Sequence, residues 1–103
     1  MLKSKRIKVG AQIYSIIKDD FMYEKEQLLG QCYKDKSVIR YAGGMPIDVT
    51  VDSVLHEILH AIWWNYLDEE ETTEERAVTM LSHGLVQVMR DNKKLFNELR
   101  DLL

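Results

Sequence analysis

His56, Glu57 and His60 stand in "VLHEILHAIWW", residues 54 to 64, with the histidines four apart and the glutamate beside the first. On a helix, residues i and i+4 lie one turn apart on the same side. Both imidazoles can therefore bring a nitrogen to one ion at about 2.0 to 2.1 Å, the usual zinc–nitrogen distance. Glu57 is offset around the helix axis, so it can miss the ion and still reach a water bound to it. Zinc lowers the pKa of such a water to about 7, and the carboxylate takes its proton as the water attacks. The triplet points to a metal hydrolase, with His56 and His60 as ligands and Glu57 as general base. The competing reading is a pair of core histidines hydrogen-bonded to carbonyls or carboxylates. The surroundings weigh against it. Leu55, Ile58, Leu59, Ile62, Trp63 and Trp64 belong to the most apolar stretch of the chain, where unpaired imidazoles and a carboxylate are costly.

A tetrahedral catalytic zinc takes a third protein ligand and leaves its fourth position to water. Glu74 and Glu75 follow His60 by 14 and 15 residues, an interval that suits a loop and an antiparallel helix packed back against the first. On a helical wheel Glu74 lies at the centre of the stripe formed by Ala77, Val78, Leu81, Leu85 and Val88, whereas Glu75 lies on its flank. Thr72 and Glu75 also form a T-x-x-E capping box, which explains that glutamate without a metal unless Thr73 is the cap. The residues alone leave the choice open.

The elements that must hold these side chains are legible in outline. In "KRIKVGAQIYSII", 5 to 17, Ile7, Val9, Ala11 and Ile13 alternate with polar residues, as in a strand buried on one face. Residues 19 to 27 form a polar connection with room for a helical turn. Residues 28 to 42 read as two short strands around the turn-forming "KDKS". "GGMP", 43 to 46, breaks the chain, and the period then changes. Val51, Val54, Leu55, Ile58, Leu59 and Ile62 follow the spacing of an amphipathic helix over 49 to 66, capped by Asp48 or Thr50. An acidic loop, 67 to 75, leads into a helix over 73 to 91, and a short terminal helix turns Leu95, Phe96, Leu99 and Leu102 inward. The expected fold is α+β: a small antiparallel sheet packed against the metal-binding helix and a second helix. One domain spans 1 to 103, with a sheet region over 1 to 46 and a helical region over 47 to 103.

Composition narrows the function classes. Of 103 residues, 46% are hydrophobic and 30% charged, the balance of a folded globular domain. Net charge is −3, and "KSKR" at 3 to 6 is too small a basic cluster for nucleic-acid binding. No apolar run approaches the roughly 20 residues of a membrane span, and the N-terminus lacks a signal segment. With Cys32 as the single cysteine, no intrachain disulfide forms, and a reducing cytoplasm is expected. Cys32 reads as a packing residue.

The chain resembles the compact gluzincin-type zinc metallopeptidases, the ImmA/IrrE-like proteins and related small phage and prophage zincins. The matching stretches are "LHEILHAIWW" (55 to 64), "EERAVTMLSHGLVQVMRDN" (74 to 92) and, more loosely, the strand "SVIRY" (37 to 41). The resemblance implies a peptidase with one Zn²⁺ held by His56, His60 and Glu75, with Glu57 as general base. It favours Glu75 because Glu75, Val78, Leu81 and Ser82 match the family's E-x-x-[AV]-x-x-[FL]-[AS] pattern. It also implies a peptide or protein substrate added as a strand at a sheet edge, for which residues 37 to 41 are the candidate. The chain departs from the pattern at His83, read as a surface residue, and at "DNKK" in place of D-N-P. Tyr41 and Tyr66 are candidate donors to the oxyanion, and Trp63 and Trp64 are expected to pack on the sheet. The alternative function is a non-catalytic, zinc-stabilised phage or prophage binding or regulatory module.

Overall fold

A computed structural model describes residues 2–67 and 73–103. Eight elements follow one another: β1 (Arg6–Val9), β2 (Gln12–Asp19), α1 (Met22–Glu26), β3 (Gly30–Tyr33), β4 (Val38–Ala42), α2 (Ile47–Tyr66), α3 (Glu74–Asp91) and α4 (Lys93–Leu102). The fold is α+β, as expected, but the sheet is mixed rather than antiparallel. Its strand order is β1-β2-β4-β3, and β2 runs parallel to β4.

The run read as one strand over 5 to 17 is a hairpin. Gly10, at φ +61°, takes the first of two turn positions between Val9 and Gln12, where only glycine is unstrained. The turn changes which residues face inward. Ile7 and Val9 are buried as expected, but Tyr14 and Ile16 take over beyond it, and Ile13 is exposed.

The parallel pair arises because β4 inserts between β2 and β3. The 20–29 connection and the turn at 34–37 each reverse the chain, so β4 runs again in the direction of β2. Burial decides the placement. β4 is "VIRYA", with Ile39, Tyr41 and Ala42 buried, and Ile39 is the direct partner of Ile16. β3 is the more polar "GQCY" and takes the edge. Residues 37 to 41 therefore lie almost wholly in an interior strand, and the sheet edges belong to β1 and β3. On the outer face Arg40 binds Asp19 and Glu26 and donates to Gln31 Oε1 and the Tyr33 hydroxyl, tying β3 to its neighbours.

The core lies between the inner sheet face and the three longer helices. α2 contributes Val51, Val54, Ile58 and Ile62 of the expected stripe together with Ala61. Leu55 is half-buried, and Leu59, expected to face inward, is 43% exposed because it lies on the side of the helix turned away from the sheet. It starts two residues earlier than expected, at Ile47 after Pro46. Asp48 thus lies in the first turn, where its charge suits the helix dipole, and the Thr50 hydroxyl donates to the Pro46 carbonyl instead of capping. α3 begins after Thr73, whose side chain accepts from the Arg76 amide. Thr72 lies outside the described residues, and with Thr73 as cap the capping-box explanation of Glu75 lapses. α4 buries Leu95 and Leu99, with Phe96 and Leu102 packed against the same core.

Candidate metal centre

The histidine pair is built by α2 alone. Its buried stripe sits against the sheet, which turns His56 and His60 outward and leaves both imidazoles exposed. Their Nε2 atoms lie 3.2 Å apart, with the ring centroids at 4.8 Å and the planes at 71°. Two nitrogens at 2.0 to 2.1 Å from a common tetrahedral zinc would be separated by about 3.3 to 3.4 Å. The pair is close to that spacing without any rearrangement of the helix.

Glu57 points the other way around the helix, over the edge strand. It is 93% buried by surface, with only 7% exposed, and takes part in no hydrogen bond or ion pair among the described residues. The space it fills is left by Gly30 of β3, since a Cβ there would meet Glu57 Oε2 at 2.9 Å. Burial pushes its carboxyl above the usual carboxylate range, and the positive charge available on His56 and His60 partly offsets this. Its oxygens are not sealed off: the carboxyl opens onto the cleft over β3, where water or an ion can reach it. Among the described residues, His56, Glu57 and His60 are the group that could hold a metal ion, with ligand atoms within 4.8 Å of one another. The donor set of two imidazoles and an adjacent carboxylate fits a divalent transition metal.

Two clefts flank the imidazoles. The smaller, about 270 Å³, lies over β3 and is lined by Gly30, Gln31, Cys32 and Glu57 together with His56, His60 and Trp64. Cys32 faces it from the inner side of β3. Its thiol is pushed up to about 12 by burial and by the neighbouring Glu57 carboxylate. It thus behaves as a packing residue, as expected. The larger cleft, about 530 Å³, lies between α2 and α3 and is lined by Leu59, Trp63, Trp64 and Leu81 beside the same two histidines.

The other expected site residues fall as follows. Glu75 stands exposed in the first turn of α3, next to Glu74, outside the group just described. α3 packs on the C-terminal half of α2. Leu81 shares a cleft with Leu59 and Trp63, a Cβ on Gly84 would meet Ile62 and Tyr66, and Gln87 Oε1 accepts from the Tyr66 hydroxyl. Tyr41 is buried in the core, and Tyr66 is engaged with Gln87; neither lines a cleft beside the histidines. His83 is exposed, as expected. Trp64 reaches the β3 cleft and stacks on His60 at 5.8 Å, but Trp63 is 38% exposed and faces the α2–α3 cleft instead of the sheet.

The sequence reading missed Gly30. No local pattern links it to Glu57, 27 residues later, although a glycine in a short strand signals that something approaches closely. In comparisons with family models, curated proteins and solved structures, nothing matches this chain. Among the described residues, no helix is long and apolar enough to cross a membrane.

Proposed function

We propose that the protein is a zinc-dependent metallopeptidase in which His56 and His60 hold the ion and Glu57 is the general base. The observation that carries this reading is the 3.2 Å approach of the two Nε2 atoms next to the Glu57 carboxyl, with the three ligand atoms within 4.8 Å of one another. A bound Zn²⁺ would supply Lewis acidity, polarising a peptide carbonyl and acidifying water at neutral pH. Glu57 would accept the proton of the attacking water, and its burial suits a base with a pKa nearer neutrality. Glu75, in the first turn of α3, is proposed as the third ligand, with Glu74 as its rival. The peptide would lie along the open edge of β3, adding its backbone as a further strand below the imidazoles.

The test is Glu57→Gln beside the wild type, with zinc measured by elemental analysis and cleavage by a peptide library. The variant should keep its zinc and lose cleavage by about a hundredfold or more. Wild-type protein that binds zinc and cleaves nothing would instead make this a non-catalytic zinc-stabilised module. Failure to retain zinc at micromolar concentration would end the metal reading. Glu75→Ala and Glu74→Ala then identify the third ligand by which of them empties the site.

A further inference from the structure

We infer that the cleft between the N-terminal segment and the start of α4 is a binding site for a small ligand carrying several linked phosphate groups. Two stretches that the metal reading leaves unused meet there. "KSKR" at 3 to 6 and the lysine pair of "DNKK" at 91 to 94 are far apart in the sequence. Folding gathers Lys3, Lys5, Arg6, Lys93 and Lys94 around one cleft of about 470 Å³. The chain as a whole carries −3, so this concentration of positive charge runs against its overall balance.

The fold fixes the two stretches against each other. At one end Glu98 accepts from the Lys3 amide at 2.6 Å and the Ser4 amide at 2.9 Å. At the other, the Asn92 side chain bonds both backbone groups of Lys8, each at 2.8 Å. Leu2 and Ile7 anchor the same segment in the core. The backbones are thus held, and the cationic side chains are left over. Lys3, Lys5, Arg6 and Lys93 are exposed, and their side chains take part in no hydrogen bond or ion pair among the described residues. Asp91 is the one carboxylate in the lining, and it is already engaged by Arg90 and Gln87. Like charges gathered without counter-ions raise the local potential and attract an anion.

The lining narrows the anion. Four of the five cations are lysines, compact ammonium groups that meet phosphate oxygens as point charges, whereas paired carboxylate recognition favours arginine. No aromatic ring lines the cleft, so it offers nothing on which the bases of a single-stranded nucleic acid could stack. Its volume suits a small molecule. Its cations stand on two walls, which a chain of phosphates spans and a single phosphate does not. The cleft shares no lining residue with the two beside the histidines, so phosphate binding here is independent of zinc.

The test is calorimetric titration of sodium tripolyphosphate and of sodium phosphate into the metal-free full chain, which keeps either probe from binding zinc at the histidines. Tripolyphosphate should bind at least about tenfold more tightly than monophosphate, and added salt should weaken it. Lys93→Glu with Lys94→Glu, and separately Lys3→Glu with Lys5→Glu, should each weaken it by about tenfold or more. These positions are exposed, and acidic residues suit the first turn of a helix, so the variants should fold, as urea melts will register. Lys34→Glu with Lys36→Glu makes the same change in net charge on the turn before β4 and should leave affinity within about twofold. No tripolyphosphate binding by the wild type, equal affinity for the two phosphates, or an equal loss in all three double variants would overturn the inference. A short oligothymidylate or oligoglutamate that binds more tightly than tripolyphosphate would overturn it too, by giving the cleft to a nucleic acid or an acidic partner.

Discussion

Gly30 on β3 provides the space in which the Glu57 carboxylate lies: a methyl carbon at Gly30 would sit 2.9 Å from Glu57 Oε2 and 3.1 Å from its Cγ. The clash falls on the mobile end of a side chain, not on backbone, and Gly30 does not require a positive φ. Gly30→Ala should therefore change stability by less than about 1 kcal/mol in urea melts, while swinging the carboxylate out of place. Peptide cleavage should fall at least about tenfold with zinc content unchanged. Full activity in Gly30→Ala would mean that the carboxylate has no catalytic position to lose.

The histidines predict a zinc-dependent stability. They are exposed, so His56→Ala and His60→Ala should each move metal-free stability by no more than about 1 kcal/mol. In wild-type protein, zinc at a hundred times its dissociation constant should add about 2.7 kcal/mol, and chelator should remove it. For a domain of this size that corresponds to a rise of about 10 °C or more in Tm. Thermal melts with zinc and with chelator check this directly. Either single variant should lose the whole increment, because one remaining imidazole cannot hold the ion in place.

Much of the helical half was readable because its periods are local. The inward stripe of α2, the start of α3 at Thr73 and the buried Leu95 and Leu99 all follow from spacings within one helix. The His-Glu-His triplet was visible for the same reason. The sheet was harder. Gly10 and Ala11 turn the chain without a proline or a polar cluster to announce it, so the alternation of Ile7 and Val9 ran on into Ile13. The insertion of β4 beside β2 depends on which strand is more worth burying, a comparison between segments that no local window makes. The contact of Gly30 with Glu57 exists only once that sheet order is known.

Gly84 marks the point where α3 crosses α2. A Cβ there would lie 2.4 Å from Ile62 Cγ2 and 3.1 Å from Tyr66 Cδ2, and Ile62 is fully buried. Gly84→Ala gains helix propensity of about 1 kcal/mol but must push two helices apart. Overpacking of this kind costs about 1 to 3 kcal/mol, so the net expectation is a loss of up to about 2 kcal/mol. Urea denaturation measures it, and a stabilised variant would show that α3 does not pack here.

Cys32 should be unreactive. Burial raises its thiol to about 12, with the Glu57 carboxylate adding to the effect. At pH 8 its alkylation by iodoacetamide should run at least about tenfold slower than in urea-unfolded protein, where the thiol has its ordinary pKa near 8.5. The rate should still be climbing at pH 10. The linkage has a definite sign: the neutral thiol is favoured in the fold, so its contribution is intact below about 8.5 and is lost as pH rises toward about 12. Glu57→Gln should speed the reaction by removing the like charge.

Glu98 fastens the N-terminal segment to α4. Its carboxylate accepts from the Lys3 amide at 2.6 Å, from the Ser4 amide at 2.9 Å and from the Ser4 hydroxyl. Partial burial pushes its pKa upward, but the Ser4 hydroxyl and the two amides outweigh it and hold the group below its ordinary value. A depressed carboxyl stabilises the fold above the unfolded pKa, about 4.3, and loses that contribution as pH falls through the lower folded value. Glu98→Gln should therefore be less stable than wild type at pH 7, by about 1 kcal/mol. The gap should narrow as pH falls through the lowered folded value and the wild-type side chain takes up its proton. Leu2 is buried and Lys5 O accepts from Ile16 N, so the loosened segment should also expose the edge of β1. Faster amide exchange at Ile16 in Glu98→Gln would register that loosening, and an equal urea midpoint for the two proteins at pH 7 would refute it.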